Sequence, residues 1–167
     1  NLRYQSGPQW LYENLLHDKW VIAVSGTHGK TTTTSMINWI LRENDIDCGY
    51  LIGGIPGNFS SSSSLSQSDS PFFVIEADEY DTAFFDKRSK FIHYHPKTLV
   101  INNIEFDHAD IFDDITLIKR HFHHLIRTVP RQGKIIINQQ DKNTKETVDM
   151  GIWSEIEEFN SSGSWHI

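Results

Sequence analysis

The chain has 167 residues, of which 38% are hydrophobic and 12% aromatic, a composition typical of one globular domain with a substantial core. Lysine and arginine number 15 against 22 aspartates and glutamates, giving a net charge of −7, and no basic stripe could follow a nucleic-acid backbone. No apolar run approaches the roughly 20 residues of a membrane-spanning helix. We therefore expect neither nucleic-acid binding nor membrane insertion.

The single cysteine, Cys48, excludes an internal disulfide and favours a reducing compartment, so the sequence predicts a cytoplasmic protein. The front of the chain has no signal-peptide pattern. Because the chain starts at Asn1 rather than methionine and ends on the apolar SWHI, we expect a fragment of a longer protein.

The stretch SGPQWLYENLLHD predicts a short helix at the start of the chain. Ser6 and Gln9 have capping-box spacing, and Trp10, Leu11 and Leu15 would share one face.

A strand over Trp20–Val24, a glycine turn and a helix over Lys30–Glu43 form the next predicted unit. The apolar residues of this helix are Met36, Ile37, Ile40 and Leu41.

A short apolar run, Tyr50–Ile52, leads into GGIPGNFSSSSSLSQSDS, which predicts a flexible surface loop without catalytic serines. Further along, the sequence predicts one amphipathic helix, Ile115–Thr128, ended by Pro130. Three more apolar strands are predicted at Phe72–Ile75, Leu99–Ile101 and Lys134–Ile137.

This alternation predicts an α/β fold of the P-loop type, with a mostly parallel sheet covered by helices on both faces. Ligands of such sheets bind beyond the carboxyl ends of the strands. The polar motifs fall at three such ends: GTHGKT, EADEYD and NNIEFDHAD.

The segment Gly26–Thr31 has the composition of a phosphate-binding turn. Its glycines allow backbone N–H groups to face phosphate oxygens, Lys30 can reach the outer phosphates, and the Thr31 hydroxyl can hold Mg²⁺. Val24 occupies the place of the first glycine of the general P-loop pattern. A plain glycine turn that caps a buried helix is the alternative.

Acidic residues follow the strand that ends at Ile75. Glu76 can point at the phosphate turn and supply the carboxylate that a magnesium site needs, whereas Asp81 is more typical of a solvated loop. His108 lies between acidic residues after the next strand and is a candidate metal ligand. His121, His123 and His124 lie on an amphipathic helix, where we expect no zinc site.

GTHGKTTT, EADEYD and NIEFDHAD, in this order and spacing, resemble the central ATP-binding domain of the Mur ligases, the amide-forming enzymes of bacterial cell-wall precursor synthesis. SGPQWL, GGIPGNF and DKRSKF resemble the branch that joins UDP-N-acetylmuramate to a recycled murein tripeptide. The likeness covers about residues 5–153.

The resemblance implies ATP and Mg²⁺ as cofactors and gives roles by position. Lys30, Glu76 and His108 would be catalytic. Thr31, Glu76 and His108 would hold metal. The ATP-binding residues would be Gly26, Thr27, His28, Gly29, Lys30, Thr31, Thr32 and Asn103. The carbamylated lysine of several Mur ligases would fall at His123 and is therefore expected to be absent.

The resemblance also implies a domain organisation. Residues 1–18 would end an amino-terminal UDP-sugar domain and its linker, and residues 19–167 would form a truncated central domain that cannot ligate without its missing partners. The expected substrates are UDP-N-acetylmuramate and L-alanyl-γ-D-glutamyl-meso-diaminopimelate. Two alternatives stay open: the L-alanine-adding ligase and a non-catalytic nucleotide-binding module.

Overall fold

The computed structural model describes residues 4–106 and 114–160. The helices in this part of the chain are α1 (Gly7–Leu11), α2 (Lys30–Glu43), α3 (Ile115–Ile126) and α4 (Lys142–Val148). A π-helical turn, Tyr12–Leu16, continues α1, and a 3₁₀ turn spans Lys90–His93. The strands are β1 (Trp20–Ser25), β2 (Gly49–Leu51), β3 (Ser63–Ser64), β4 (Phe72–Glu76), β5 (Asp81–Ala83), β6 (Asp86–Ser89), β7 (Thr98–Ile101), β8 (Lys134–Asn138) and β9 (Glu155–Phe159).

Seven strands form one sheet in the order β3-β2-β4-β1-β7-β8-β9, and β5 and β6 form a separate antiparallel hairpin. All pairs in the large sheet are parallel except β2 with β3. The predicted α/β fold with a mostly parallel sheet is confirmed.

Successive residues of the central strands enter cores on opposite faces of the sheet, as the two-residue period of a strand requires. Val21 and Ala23 pack in the larger core with helix α3, which contributes Phe122. Ile22 packs in the smaller core, where Ile37 and Leu41 of α2 cover the sheet. Helices therefore lie on both faces, as predicted.

The direction of the chain reverses around β1. After β1 it passes through α2 to β2 and β4 on one side, and it then returns to β7 on the other side. Ligands of parallel sheets bind at such a switch point, outside the carboxyl ends of the strands. In register, Val24 of β1 faces Glu76 of β4, and Ser25 faces Ile101 of β7. Three of the predicted strand ends therefore meet at one edge.

Two helices bury other residues than the pattern predicts. Ser6 caps α1 as predicted, accepting a hydrogen bond from the backbone N–H of Gln9, but Trp10 is exposed and the Gln9 side chain bonds to Glu13. Helix α2 has the predicted bounds.

Met36 and Ile40 of α2 are exposed, whereas Thr34 and Asn38 are fully buried. The two polar residues can face the sheet because each has an internal partner. The Thr34 hydroxyl donates to the Lys30 carbonyl, and the Asn38 amide oxygen accepts from the Cys48 thiol.

Several elements differ from the sequence prediction. The serine-rich stretch contributes the edge strand β3, so it is not wholly a loop. The hairpin of β5 and β6, helix α4 and strand β9 were not predicted. Within the described residues, no helix has the length and apolar character to cross a membrane.

Candidate active site

The turn between β1 and α2 has the geometry of a phosphate-binding loop. Gly26 and Gly29 have φ of 133° and 80°, in the left-handed region that favours glycine. A β-carbon on Gly26 would also lie 3.0 Å from the Asn103 carbonyl oxygen, and one on Gly29 would lie 3.0 Å from the Asn102 amide nitrogen. Both glycines are therefore required by backbone conformation and by close approach to the end of β7.

The segment after β7 holds this turn in place. The Asn103 side chain accepts a hydrogen bond from His28 N–H at 2.9 Å and donates to the His28 carbonyl at 3.3 Å. Asn102 donates to the same carbonyl at 3.3 Å and to the Thr33 hydroxyl at 3.2 Å. The oxygen and the nitrogen of the Asn103 side-chain amide both form hydrogen bonds with the turn. Asn103 therefore has a structural role in addition to its predicted contact with ATP.

Thr27 provides a third connection to the same segment. Its buried hydroxyl accepts from Glu105 N–H at 2.8 Å and donates to the Glu105 carbonyl at 3.3 Å. The His28 ring, in contrast, is exposed and lies 3.8 Å from the Glu105 carboxylate. Thr27 thus anchors the turn, and the His28 side chain is available to solvent or to a ligand.

Lys30 is folded over the turn. Its ammonium donates to the carbonyls of Gly26 and Thr27 at 2.7 and 3.2 Å. It also lies 3.3 Å from Oε2 and 3.5 Å from Oε1 of Glu79, a carboxylate with only 3% of its side chain exposed. These contacts hold a positive charge at the inner side of the phosphate turn.

Thr31 and Glu76 are brought together as the sequence predicts. The Thr31 hydroxyl, in the first turn of α2, donates to Glu76 Oε1 at 3.0 Å. The other carboxylate oxygen accepts from the backbone N–H of Gly53 at 2.7 Å. A hydroxyl and a carboxylate side by side are oxygen donors of the kind that Mg²⁺ prefers, with phosphates and water completing its shell. The residues present therefore fit a magnesium site.

A cavity of about 450 Å³ opens over these groups. It is lined by Thr27, His28, Gly29, Lys30, Thr31, Thr32, Glu76, Asp78 and Tyr80. Most of the predicted ATP-binding residues therefore share one cavity at the amino end of α2. There the first N–H groups of the helix lack partners within the helix, and its dipole favours an anion.

Tyr94, buried near this edge, stays protonated. Burial, together with the negative charges of Asp78 and Glu76, raises the pKa of its phenol. Lys90 lies 3.1 Å from the Asp78 carboxylate. The edge is therefore acidic, with Lys30 and Lys90 as its neighbouring cations.

Some predicted residues lie elsewhere. His108 is outside the described residues, so the second metal position stays a prediction. His121 bonds to the Ser89 hydroxyl through Nδ1, and His123 Nε2 bonds to the Gly151 carbonyl. Burial and the neighbouring His124 lower the pKa of His121. His121 and His123 of α3 therefore each have a hydrogen-bond partner outside the helix.

Sequence reasoning missed three contributors to this site: Gly53, Glu79 and Asn102. Each lies in a motif that was noted, namely GGIPGNF, EADEYD and NNIEFDHAD. Glu79 stands between Asp78 and Tyr80, and nothing in the sequence marks it as the buried carboxylate beside Lys30. Nothing in the sequence distinguishes Asn102 from Asn103.

The family model for the Mur ligase middle domain matches residues 24–159. The chain belongs to the Mur ligase family. The match includes the phosphate turn, the polar segments after β4 and β7, and the sheet from the end of β1 to β9.

The relatives compared differ in how much of the sequence they share with this chain. The UDP-N-acetylmuramate–L-alanyl-γ-D-glutamyl-meso-2,6-diaminoheptandioate ligases of Haemophilus influenzae and Escherichia coli are 58% and 59% identical over 99% of the chain. The UDP-N-acetylmuramate–L-alanine ligase of Clostridium perfringens is 35% identical over 90% of the chain. The chain spans 36% of the length of the first two Mur ligases and 31% of the third.

Solved Mur ligases have the same fold. A crystal structure of the tripeptide ligase from a Neisseria species superimposes with a TM-score of 0.91 at 56% identity, covering 96% of this chain and 52% of that one. The murein peptide ligase of Psychrobacter arcticus gives a TM-score of 0.82 at 46% identity, covering 95% and 35% of the two chains.

Proposed function

We propose that this chain is the ATP-binding middle domain of a ligase that joins UDP-N-acetylmuramate to L-alanyl-γ-D-glutamyl-meso-diaminopimelate. One observation carries the proposal. Relatives named for the tripeptide reaction are 58% and 59% identical, whereas the compared relative named for L-alanine is 35% identical. ATP and Mg²⁺ are the proposed cofactors, and the phosphate turn, with its cation and its adjacent carboxylate, supports both.

The phosphates of ATP would occupy the cavity at the start of α2. Backbone N–H groups from Gly29 to Thr32 would face the phosphate oxygens, and the Lys30 ammonium would reach the outer ones. The Glu79 carboxylate, 3.3 Å from that ammonium, keeps it on the side of the turn where charge develops. Phosphoryl transfer places this charge on oxygen atoms, so a cation and aligned dipoles are suitable groups.

Thr31 and Glu76 would hold magnesium, and His108 would serve a second metal position. Bound magnesium would neutralise charge on the phosphate oxygens and help to orient them. Glu76 accepts hydrogen bonds from the Thr31 hydroxyl and from Gly53 N–H, which fix the orientation of its carboxylate. Such preorganisation reduces the cost of binding.

The reaction proceeds by two transfers. The γ-phosphoryl group of ATP moves to the lactyl carboxylate of UDP-N-acetylmuramate, giving ADP and an acyl phosphate. The amine of the tripeptide then attacks the acyl carbon, the C–O bond to phosphate breaks, and the amine loses a proton. The first step converts a poor electrophile into a reactive one. No side-chain nucleophile is required, so Cys48 and the serine-rich stretch have no part in it.

We further propose that residues 1–18 end a preceding UDP-sugar domain and that residues 19–167 are a truncated central domain. The missing parts would bind UDP-N-acetylmuramate and the tripeptide amine. Since ATP and a nucleotide sugar are both consumed, the bacterial cytoplasm is the proposed location. The chain alone is expected to bind Mg-nucleotide weakly and to show no tripeptide-dependent ADP release.

The test measures phosphate release by the full-length protein with Mg-ATP and UDP-N-acetylmuramate, offered either L-alanine or the tripeptide. Release that depends on the tripeptide and is lost in Lys30→Ala is the expected result. Release with L-alanine alone would assign the L-alanine reaction instead. If neither amine gives phosphate release, a non-catalytic nucleotide-binding module is favoured.

A further inference from the structure

The turn of the β5–β6 hairpin presents two phenylalanines to solvent. Phe84 is 88% exposed and Phe85 is 42% exposed, and their rings meet edge to face with centroids 5.1 Å apart. Phenylalanine is among the residues most often buried, and a contiguous exposed aromatic patch commonly marks an interaction surface.

The hairpin that carries these rings is held firmly against the domain. The Thr82 hydroxyl donates to the Arg88 carbonyl at 2.7 Å across the hairpin. Asp86 lies 2.9 Å from the His93 ring, and Ser89 lies 2.7 Å from the ring of His121 on α3. The two rings are therefore presented by an anchored element, as a preorganised binding surface requires.

A third aromatic residue joins them from a distant part of the sequence. Tyr4 is 76% exposed, and its ring stacks edge to face on Phe85 with a centroid distance of 4.9 Å. Any polypeptide attached ahead of Tyr4 is therefore tethered beside Phe84 and Phe85. Such a tether raises the effective concentration of that polypeptide at this surface.

We propose that Tyr4, Phe84 and Phe85, the aromatic tip, form the docking surface for the part of the full-length protein that precedes Asn1. The relatives support such a part: the chain spans 36% of their length, and its match is to a middle domain. This inference rests on the proposed function in one respect: both require a longer chain with a part ahead of Asn1. Asp78 and Tyr80 line the phosphate cavity and directly precede the hairpin, so the docked part would lie near that cavity.

The first experiment places the photocrosslinker p-benzoylphenylalanine at position 84 of the full-length protein. The substitution keeps an aromatic side chain, and circular dichroism checks that the protein folds. The control places the same group at position 65, where Leu65 is 61% exposed just after the edge strand β3. Mass spectrometry then identifies the peptide joined to each position.

The expected result is a product between position 84 and sequence ahead of Asn1, with no such product from position 65. A product with sequence after Ile167, a product between two copies, or no intramolecular product would overturn the proposal. Crosslinking needs no substrate, so failure here is distinct from failure of the ligase assay.

A second measurement uses thiol labelling of Phe84→Cys and Leu65→Cys in the full-length protein. Each labelling rate is divided by the rate of a model thiol under the same conditions. If the aromatic tip is covered, the normalised rate of Phe84→Cys should be at least about tenfold lower in the folded protein than in urea. Leu65→Cys should show little protection. Equal reactivity of the two positions in the folded protein would contradict docking at the tip.

Discussion

Replacing Glu76 with glutamine tests the proposed magnesium site with little disturbance of the fold. The glutamine oxygen can accept from Gly53 N–H, which can only donate, and the new NH₂ group can donate to the Thr31 hydroxyl, which can also accept. Both hydrogen bonds of Glu76 thus have counterparts in Glu76→Gln. What is lost is the negative charge.

The size of the effect follows from Coulomb interactions. Two unit charges about 4 Å apart interact by ~1 kcal/mol in water and by ~4 kcal/mol at an effective dielectric constant near 20. Glu76 is half-buried, so its environment lies between these limits. Mg²⁺ carries two charges, so both values double. Since 1.4 kcal/mol corresponds to a factor of ten, Glu76→Gln should weaken the apparent magnesium affinity by at least about 25-fold.

The assay is magnesium titration of tripeptide-dependent phosphate release by the full-length protein, with thermal melting to verify folding. The control is Asp81→Asn, because Asp81 is a carboxylate of the hairpin paired with Lys87 at 2.8 Å. Asp81→Asn should titrate like the wild type. A folded Glu76→Gln protein with the wild-type magnesium requirement would refute the assignment of Glu76 to the metal.

Three further changes test the turn, the hairpin and the buried thiol. Asn102→Ala removes the bonds to the His28 carbonyl and the Thr33 hydroxyl, each worth ~1 kcal/mol, and should raise KM for ATP by roughly tenfold. An unchanged KM in steady-state kinetics would count against bracing of the turn. The Arg88 guanidinium lowers the pKa of Asp86, so Asp86→Asn should lower the free energy of unfolding by about 1–3 kcal/mol at pH 7. In the folded protein the Asp86 carboxylate stays charged below its ordinary pKa of about 4. The difference in the free energy of unfolding between the wild type and Asp86→Asn, measured by urea titration, should therefore shrink as the pH falls below about 4. A difference that does not change with pH would exclude the ion pair. Burial raises the pKa of Cys48 to about 11, so maleimide should label it at pH 8 only upon unfolding, and rapid labelling of folded protein would contradict its burial.

The first strand, the phosphate turn and α2 could be predicted because each has a strong local signal. An apolar run indicates β1, and two glycines mark a turn that only glycine accommodates easily. The face of α2 could not be predicted in the same way. Burial of Asn38 depends on the Cys48 thiol, ten residues away and on the other side of a turn, and no periodicity of apolar residues shows that contact.

Strand β9 was missed because three of its five residues are glutamate and its apolar residues do not alternate, EIEEF. It lies at the edge of the sheet, where Lys134 of β8 contacts Glu157 at 2.8 Å and Glu155 at 3.5 Å. A cross-strand ion pair stabilises an edge strand that burial alone does not explain. Helix α4, KNTKETV, has a similar cause: its amino end is capped by Asp141 rather than marked by an apolar face.

The site shows the same division between local and distant information. The pairing of Thr31 with Glu76 could be predicted, because parallel strands bring their carboxyl ends to one edge. The bracing of the turn by Asn102 could not, because it depends on how closely the end of β7 approaches the turn. In the fold, Asn102 and Asn103 both donate to the His28 carbonyl.

The position of β1 between β4 and β7 affects how the protein reaches its native state. Both neighbours come from far along the chain: Val24 pairs with Glu76 and with Val100. Pairings at such sequence separation carry a large loop-closure cost and slow folding. The phosphate turn gains its braces only when β7 has joined β1, so a competent nucleotide site is a late product of folding. A nucleotide that binds only this completed sheet would then increase the stability of the whole domain, in proportion to its concentration relative to its dissociation constant.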